Sequence, residues 1–400
     1  MDYNSTAKQL FLSYEKFFDN KITHRQFKHC QYIAMIEKHL NGNFFNTKII
    51  GKSFEGREIY TLRCGKTKNK KVLIWSQMHG NEPTATLALA DIFNFLSSSN
   101  DSTQEIRNTI LNNLNICFVP MLNPDGAERF DRRNAQGIDL NRDATKLVAP
   151  ESNLLMNLWN EVKPQVALNL HDQELYYTAG AGGCQTAMAF LSPAYNTSRE
   201  ENNVRHTAMH LIGQTANSLH QFIPGRIGRY SDEYTPNSFG DTFTRLGTSS
   251  ILIESGAMAD DNERTLTRKL NFVAILNILL CYAEHKGETN TNYYYQIPLN
   301  VKDNAYDLKI TNLTVKSQQG NYTIDIGIRR HKINIEDFTD YYTNYRIENI
   351  GDLTGFSGIK NYDAQGCIFD GNYNELYITR AANFNIINQK GQKISVFNLI

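Results

Sequence analysis

Residues 71–96 read KVLIWSQMHGNEPTATLALADIFNFL. Lys71–Met78 is a compact apolar run of strand length, and Thr84–Leu96 carries apolar residues at helical spacing. Between them lies the polar turn His79-Gly80-Asn81-Glu82-Pro83. The same alternation recurs further along. Asn115–Leu122 (NICFVPML) and Gln165–Leu170 (QVALNL) are strand-like, Glu200–Phe222 is a long helix pattern, Ser249–Glu254 (SSILIE) is another strand, and Leu266–His285 another helix. Continuous apolar strands alternating with helices predict an α/β fold in three layers: a mixed, mostly parallel sheet flanked by helices.

Upstream, Leu10, Phe11, Tyr14, Phe17, Phe18, Ile33, Ile36 and Leu40 fall at helical spacing, which predicts an N-terminal helical segment over residues 1–44 packing on a main domain at 45–288. Near Thr289–Tyr295 the text changes to short alternating segments such as Tyr322–Arg329 (YTIDIGIR), with Asn and Gly turns. Residues 289–400 therefore read as a smaller β-rich domain, fit to buttress the main domain, restrict access to it or mediate assembly.

The 400 residues hold 41 Lys plus Arg against 41 Asp plus Glu, a formal charge of zero. That balance removes the electrostatic footprint of a general nucleic-acid binder or of a protein held on an anionic membrane. The longest near-apolar run, Phe272–Ala283, is interrupted by Asn277 and is shorter than the roughly 18 residues that suggest a membrane span. The start, MDYNSTAKQL, has neither the basic nor the apolar stretch of a secretory signal. Six scattered cysteines (Cys30, Cys64, Cys117, Cys184, Cys281, Cys367) without a CxxC pair read as free thiols. Together these features predict a cytoplasmic protein.

In sheets of this kind ligands bind beyond the carboxyl ends of the strands, and four strand ends here carry unusual polar residues. His79 and Glu82, three apart in a turn, can aim an imidazole and a carboxylate at one cation such as zinc. Taken alone they read first as a capped, solvated turn, with Glu82 a charge at a helix N-terminus. His171, directly after a strand, supplies a third ligand on the same side of the sheet. His206 and His210, four apart on a helix, read as a solvated face. Asn123-Pro124-Asp125-Gly126 is a turn signal, with Pro setting φ and Gly taking a positive φ. It leads into Arg132-Arg133-Asn134-Ala135-Gln136-Gly137-Ile138-Asp139-Leu140-Asn141-Arg142, where the planar fork of Arg142 suits a substrate carboxylate. Glu254 ends an apolar strand and must be solvated, paired or functional; beside a zinc-bound water it would be a general base.

Jointly, HxxE, NPDG, R-x-N-A-x-G-x-D-L-N-R, the strand-end His and the strand-end Glu-Ser-Gly resemble, in order and spacing, the zinc metallocarboxypeptidases related to carboxypeptidase A, over about residues 45–285. The text is especially similar to bacterial members, including murein peptide amidases. The resemblance implies one Zn²⁺ ion held by His79, Glu82 and His171, with Glu254 activating the water that attacks the peptide bond. It implies Arg132 as the oxyanion arginine, with Arg129 and Arg133 as neighbouring registers. It implies Asn141 and Arg142 as the grip on a free substrate carboxylate, and Asp139 as the carboxylate behind a zinc-ligating histidine. The family's mobile tyrosine falls at Tyr230 or Tyr234, with Asn237-Ser238-Phe239-Gly240 favouring Tyr234.

The implied activity is metallocarboxypeptidase hydrolysis of an amide bond near a free carboxylate, with a peptide or peptide-like partner. A zinc deacylase of the succinylglutamate desuccinylase type, or a murein peptide amidase, would use the same HxxE, His and Glu. The NPDG and R…DLNR blocks favour the peptidase. A non-catalytic zinc or peptide-binding module is the rival from another class, and it would have no use for Glu254. Two side-chain preferences stand open: an apolar pocket lined by Phe239, or a basic or diaminopimelate-like group drawn by Asp232, Glu233 and Asp241.

Overall fold

In a computed structural model, residues 2–259, 261–334 and 341–400 are described. Helices α1 (Tyr3–Ser13) and α2 (His29–Leu40) precede strands β1 (Asn46–Lys52), β2 (Glu58–Gly65) and β3 (Lys70–Ser76). Helices α3 (Thr84–Ser97) and α4 (Gln104–Asn113), β4 (Leu114–Val119), α5 (Pro124–Arg129), α6 (Pro150–Val162) and β5 (Val166–Asp172) follow. Then come β6 (Thr178–Ala179), β7 (Met188–Leu191), α7 (Asn203–Leu219), β8 (Ile227–Arg229), α8 (Phe239–Arg245), β9 (Ser249–Ser255), α9 (Thr265–Glu284), α10 (Asn292–Gln296) and β10 (Asn300–Val301).

The chain forms two compact units. The first comprises residues up to Glu174 together with Thr186–Asn300; the second comprises Leu175–Gln185 together with the chain from Val301 onward. A single boundary near residue 289 is therefore replaced by three crossings, because the Gly-rich stretch after β5 bonds to the distant Asn304. Thr178 Oγ1 and the Gly182 N–H both donate to Asn304 Oδ1, at 2.8 and 2.9 Å.

The first unit is the expected mixed sheet of eight strands, in the order β1-β2-β4-β3-β5-β9-β7-β8. Its centre, β4-β3-β5-β9, is parallel, and β7 runs antiparallel to β9. Both faces are covered, so the central strands are apolar on both sides. Val72 and Ile74 enter one core with α3, α4, α7 and α9, whereas Leu73 and Trp75 enter a second core with Trp159 of α6 and Phe243 of α8. Helix α9 is long and apolar enough to cross a bilayer by length and composition, unlike the shorter run visible in sequence. It is instead a core helix, with 89% of its apolar window buried, packed against α1, α3, α4 and α7.

The N-terminal segment is fastened by a buried ion pair. Arg268 of α9 grips Asp91 of α3 with Nε at 2.7 Å and Nη2 at 2.6 Å. Tyr14 Oη and the Asp19 N–H donate to the same carboxylate, and Arg268 donates to the carbonyls of Asp19 and Ile22.

In the second unit β11 (Ala305–Ser317), β12 (Gly320–Asn334) and β13 (Tyr341–Gly351) form an antiparallel meander, extended beyond β11 by short strands. Its core holds Leu308, Ile310, Ile326, Ile328, Ile347 and Phe384. All six cysteines are unpaired thiols.

Breaking a buried ion pair by removing one partner leaves an uncompensated charge. Arg268→Met should therefore lower the unfolding free energy by about 3–5 kcal/mol, read as a fall in the urea midpoint.

Candidate metal centre

Strands β3, β5 and β9 are parallel neighbours, so their carboxyl ends open on the same edge of the sheet. After β3 the chain turns through His79–Glu82, closed by the Glu82 N–H on the His79 carbonyl at 3.1 Å, before α3 begins. This turn is braced by the NPDG segment. Asn123 caps α5 through the Gly126 N–H (2.9 Å) and donates to the Met78 carbonyl (3.2 Å). NPDG is thus the first turn of a helix, not a turn with a positive-φ glycine. Glycine is required for space instead: a Cβ on Gly80 would lie 2.0 Å from the Gly126 carbonyl carbon, and one on Gly126 would lie 2.7 Å from the Arg133 oxygen.

His79, Glu82 and His171 are all buried and bring one donor atom each to within 4.8 Å of the others; among the described residues no other group of three such donors converges. His79 Nδ1 lies 2.8 Å from Glu82 Oε1, and His171 Nδ1 lies 2.7 Å from Oε2. The two Nδ1 atoms face each other at 3.1 Å. Two imidazole nitrogens and a carboxylate converge here within the span of one coordination shell. The donor set therefore suits a zinc ion.

Asp139 accepts from His79 Nε2 at 2.9 Å, which leaves Nδ1 free to ligate. It also accepts the Asn141 N–H (2.9 Å), capping the short turn Leu140–Arg142. Burial alone would raise the Asp139 carboxyl, but its bond and charge interaction with His79 hold it well below the usual range. Burial works against charging both histidines. Glu82 overcomes it at His79, which titrates above its ordinary value, but not at His171, which titrates below.

Of Arg129 at the end of α5 and Arg132 and Arg133 in the loop after it, Arg132 alone reaches this cluster. Its Nη1 donates to Glu82 Oε1 at 3.0 Å, and its Nε donates to Asp139 Oδ2 at 3.1 Å. Arg129 turns to Glu55 and to the Asp125 carbonyl, and Arg133 to the Gly137 carbonyl. Asn141 Oδ1 accepts the Phe239 N–H at 3.1 Å, and its Nδ2 lies 3.5 Å from His171 Nε2. Arg142 is exposed, with Nη1 on the Asn141 carbonyl. Tyr234 is half-buried in the loop between β8 and α8, while Tyr230 is tied by its backbone N–H to Phe190.

Glu254 is the rung partner of His171 across β5 and β9. Its Oε2 is out of solvent and has no hydrogen-bond partner. Burial, then the Glu82 and Asp172 carboxylates, push its titration well above the ordinary value, against the pull of Arg132 and Arg264. A cation at the triad would reverse that repulsion.

The two side-chain preferences read from sequence change. Phe239 is 0% exposed and packs on Phe243, so it lines no open pocket. Asp241 is bonded to Ser238 and the Thr235 N–H, and Asp232 to Arg205 at 2.8 Å, so neither is free for a basic group, whereas Glu233 is exposed to solvent. Sequence reasoning missed the group behind the ligands: Asp172, Arg25 and Arg264. Burial and the neighbouring Arg25 bring Arg264 down to about 10.

The family model for zinc carboxypeptidases matches residues 34–392. The chain belongs to the zinc carboxypeptidase family. This is a family of zinc enzymes, and His79, Glu82 and His171 are the donor set this member offers. Carboxypeptidase 2 of Trichophyton tonsurans is 27% identical over 163 residues, covering 38% of this chain; the chain spans only 29% of the length of that relative. A metallo-carboxypeptidase from Burkholderia cenocepacia shares the fold, with a TM-score of 0.52 at 16% identity over 64% of this chain and 69% of the other. So does a metallo-carboxypeptidase from Pseudomonas aeruginosa, solved with (2-guanidinoethylmercapto)succinic acid, at a TM-score of 0.53, 16% identity, and 65% and 70% coverage.

For this zinc carboxypeptidase family member, His171→Ala or Glu82→Ala should abolish stoichiometric zinc. Asp139→Asn should weaken zinc binding about 10–100-fold in chelator competition. Protons compete with the metal for imidazole nitrogen, so affinity should fall as pH drops through the raised His79 titration.

Proposed function

We propose that the protein is a metallocarboxypeptidase that hydrolyses the amide bond next to a substrate's free carboxylate. The observation that carries this reading is the His171–Glu254 rung, which sets a buried, unpartnered carboxylate oxygen beside the triad. Zinc, when bound by His79, Glu82 and His171, supplies a Lewis acid that polarises the scissile carbonyl and acidifies a water molecule.

The remaining work belongs to side chains of the chain itself. Glu254 takes the proton of the attacking water and returns it to the leaving nitrogen. Its desolvated setting keeps the carboxylate basic enough for that exchange. Arg132, held by Glu82 and Asp139, presents its guanidinium to the developing oxyanion. Arg142, exposed on the turn capped by Asp139, binds the substrate carboxylate with its planar fork. Asn141 assists from a position fixed by the Phe239 N–H. Tyr234 closes over the bound substrate from its half-buried loop. A deacylase or murein amidase would use the same triad and Glu254, but it has less need of the Asn141–Arg142 turn.

Glu254→Gln should retain zinc while turnover of a C-terminal-acid peptide falls by about 10²–10⁴-fold; unchanged turnover would remove Glu254 from the reaction. Arg142→Ala should penalise peptides ending in a free carboxylate far more than their C-terminal amides. Equal losses on both would count against the carboxylate grip.

A further inference from the structure

Asp172, the residue after the ligand His171, is the meeting point of three donors from three parts of the chain. Its Oδ2 accepts from Thr84 Oγ1 at 2.6 Å and from Arg25 Nη2 at 2.8 Å, and lies 3.2 Å from Arg264 Nη1. The Asp172 backbone N–H donates to Glu82 Oε2 at 3.1 Å. The position of Asp172 therefore dictates where the ligand oxygen of Glu82 sits.

Arg264 extends the same fastening across two strands. It is 4% exposed, with Nη1 on the Ser255 carbonyl at 2.6 Å and Nη2 on the Gln173 carbonyl at 2.7 Å. Those residues lie one past Glu254 and two past His171. Arg264 thus clasps the ends of β5 and β9 just beyond the rung that joins the ligand to the proposed base. Arg25 comes from the segment before α2, ahead of the region matched by the family model, and its backbone N–H is anchored on Glu263 next to Arg264.

We propose that Arg25, Arg264 and Thr84 are positioning residues of the metal centre, holding Asp172 so that Glu82 and His171 keep the geometry zinc requires and Glu254 keeps its place beside them. The N-terminal segment is then a working part of the site. A network serving only the fold would give up stability when cut, without altering how the triad binds metal. A network that positions ligands changes affinity and coordination geometry even in protein that stays folded. The turnover arm of this proposal rests on the peptidase reading above; the metal-binding arm does not.

The test compares full-length Arg25→Met, Arg25→Lys and Thr84→Val proteins with the parent. Thr84→Val is nearly isosteric and keeps the test open if Arg25→Met folds poorly. Zinc affinity is measured by chelator competition, and ligand geometry by the visible spectrum of the cobalt-loaded protein. Arg25→Met should weaken zinc binding about tenfold or more and alter the cobalt spectrum. Thr84→Val should shift both in the same direction by less. Arg25→Lys, which keeps one charged donor for Asp172, should recover affinity. On a C-terminal-acid peptide, kcat should fall while KM stays near the parent value. Parental zinc affinity and cobalt spectrum in both Arg25→Met and Thr84→Val would overturn the proposal, whatever their melting temperatures. If the parent binds zinc but cleaves no peptide, the peptidase reading fails, and the zinc and cobalt measurements still decide this one.

Discussion

The carboxylate of Glu82 is buried and engaged from four directions. Oε1 receives Arg132 and faces His79; Oε2 faces His171 and receives the Asp172 N–H. A buried carboxylate is costly unless its oxygens are satisfied, so this one group pins the turn after β3, the loop after α5 and the end of β5 to one another. Burial would raise its titration, but the two imidazoles bring it well below the ordinary value. The remaining features of the centre follow from that pinning: the facing Nδ1 atoms, the orientation of Arg132, and the strand end on which Glu254 finds its rung.

Charges of both signs are packed closely around the centre. Glu82, Asp139, Asp172 and Glu254 supply the negative side; Arg25, Arg132 and Arg264 sit further out, each bonded to at least one oxygen acceptor. Burial, and after it the Glu82 and Asp172 carboxylates, make Glu254 resist ionisation. A chain with zero formal charge can hold so polarised a cleft because composition averages over it. The zero is a sum over the whole chain and says nothing about a single pocket.

The three-layer sheet and the strand-end donors were legible because they obey local rules. A continuous apolar run means a strand covered on both faces, and a polar residue closing it lies at the edge where such sheets bind ligands. His79, Glu82, His171 and Glu254 satisfy both conditions. Other features depended on geometry that spacing does not encode. Arg129, Arg132 and Arg133 fall within five residues across the end of α5, and only the backbone path, with Phe130 at φ +50°, decides which of them faces inward. Phe239 reads as a pocket residue by its neighbours in sequence, yet it belongs to the second core. Arg25 lies in an irregular stretch without periodicity and meets Asp172 across 147 positions, so nothing local marks it. The partners of Leu175–Gln185 lie as far away, which hid the crossings between the two units.

Those crossings bear on how the chain acquires its structure during synthesis. Leu175–Gln185 leaves the ribosome well before Asn304 and Ser357, whose hydrogen bonds it requires. N-terminal domains ordinarily fold first as they emerge, but here a segment of the second unit, inserted in the sequence of the first, must wait for the rest of its unit to be translated. That segment starts four residues after His171. Completion of the segment that follows a zinc ligand is thereby tied to the last quarter of the chain, and a nascent protein released early would carry the ligands without the finished loop that follows them.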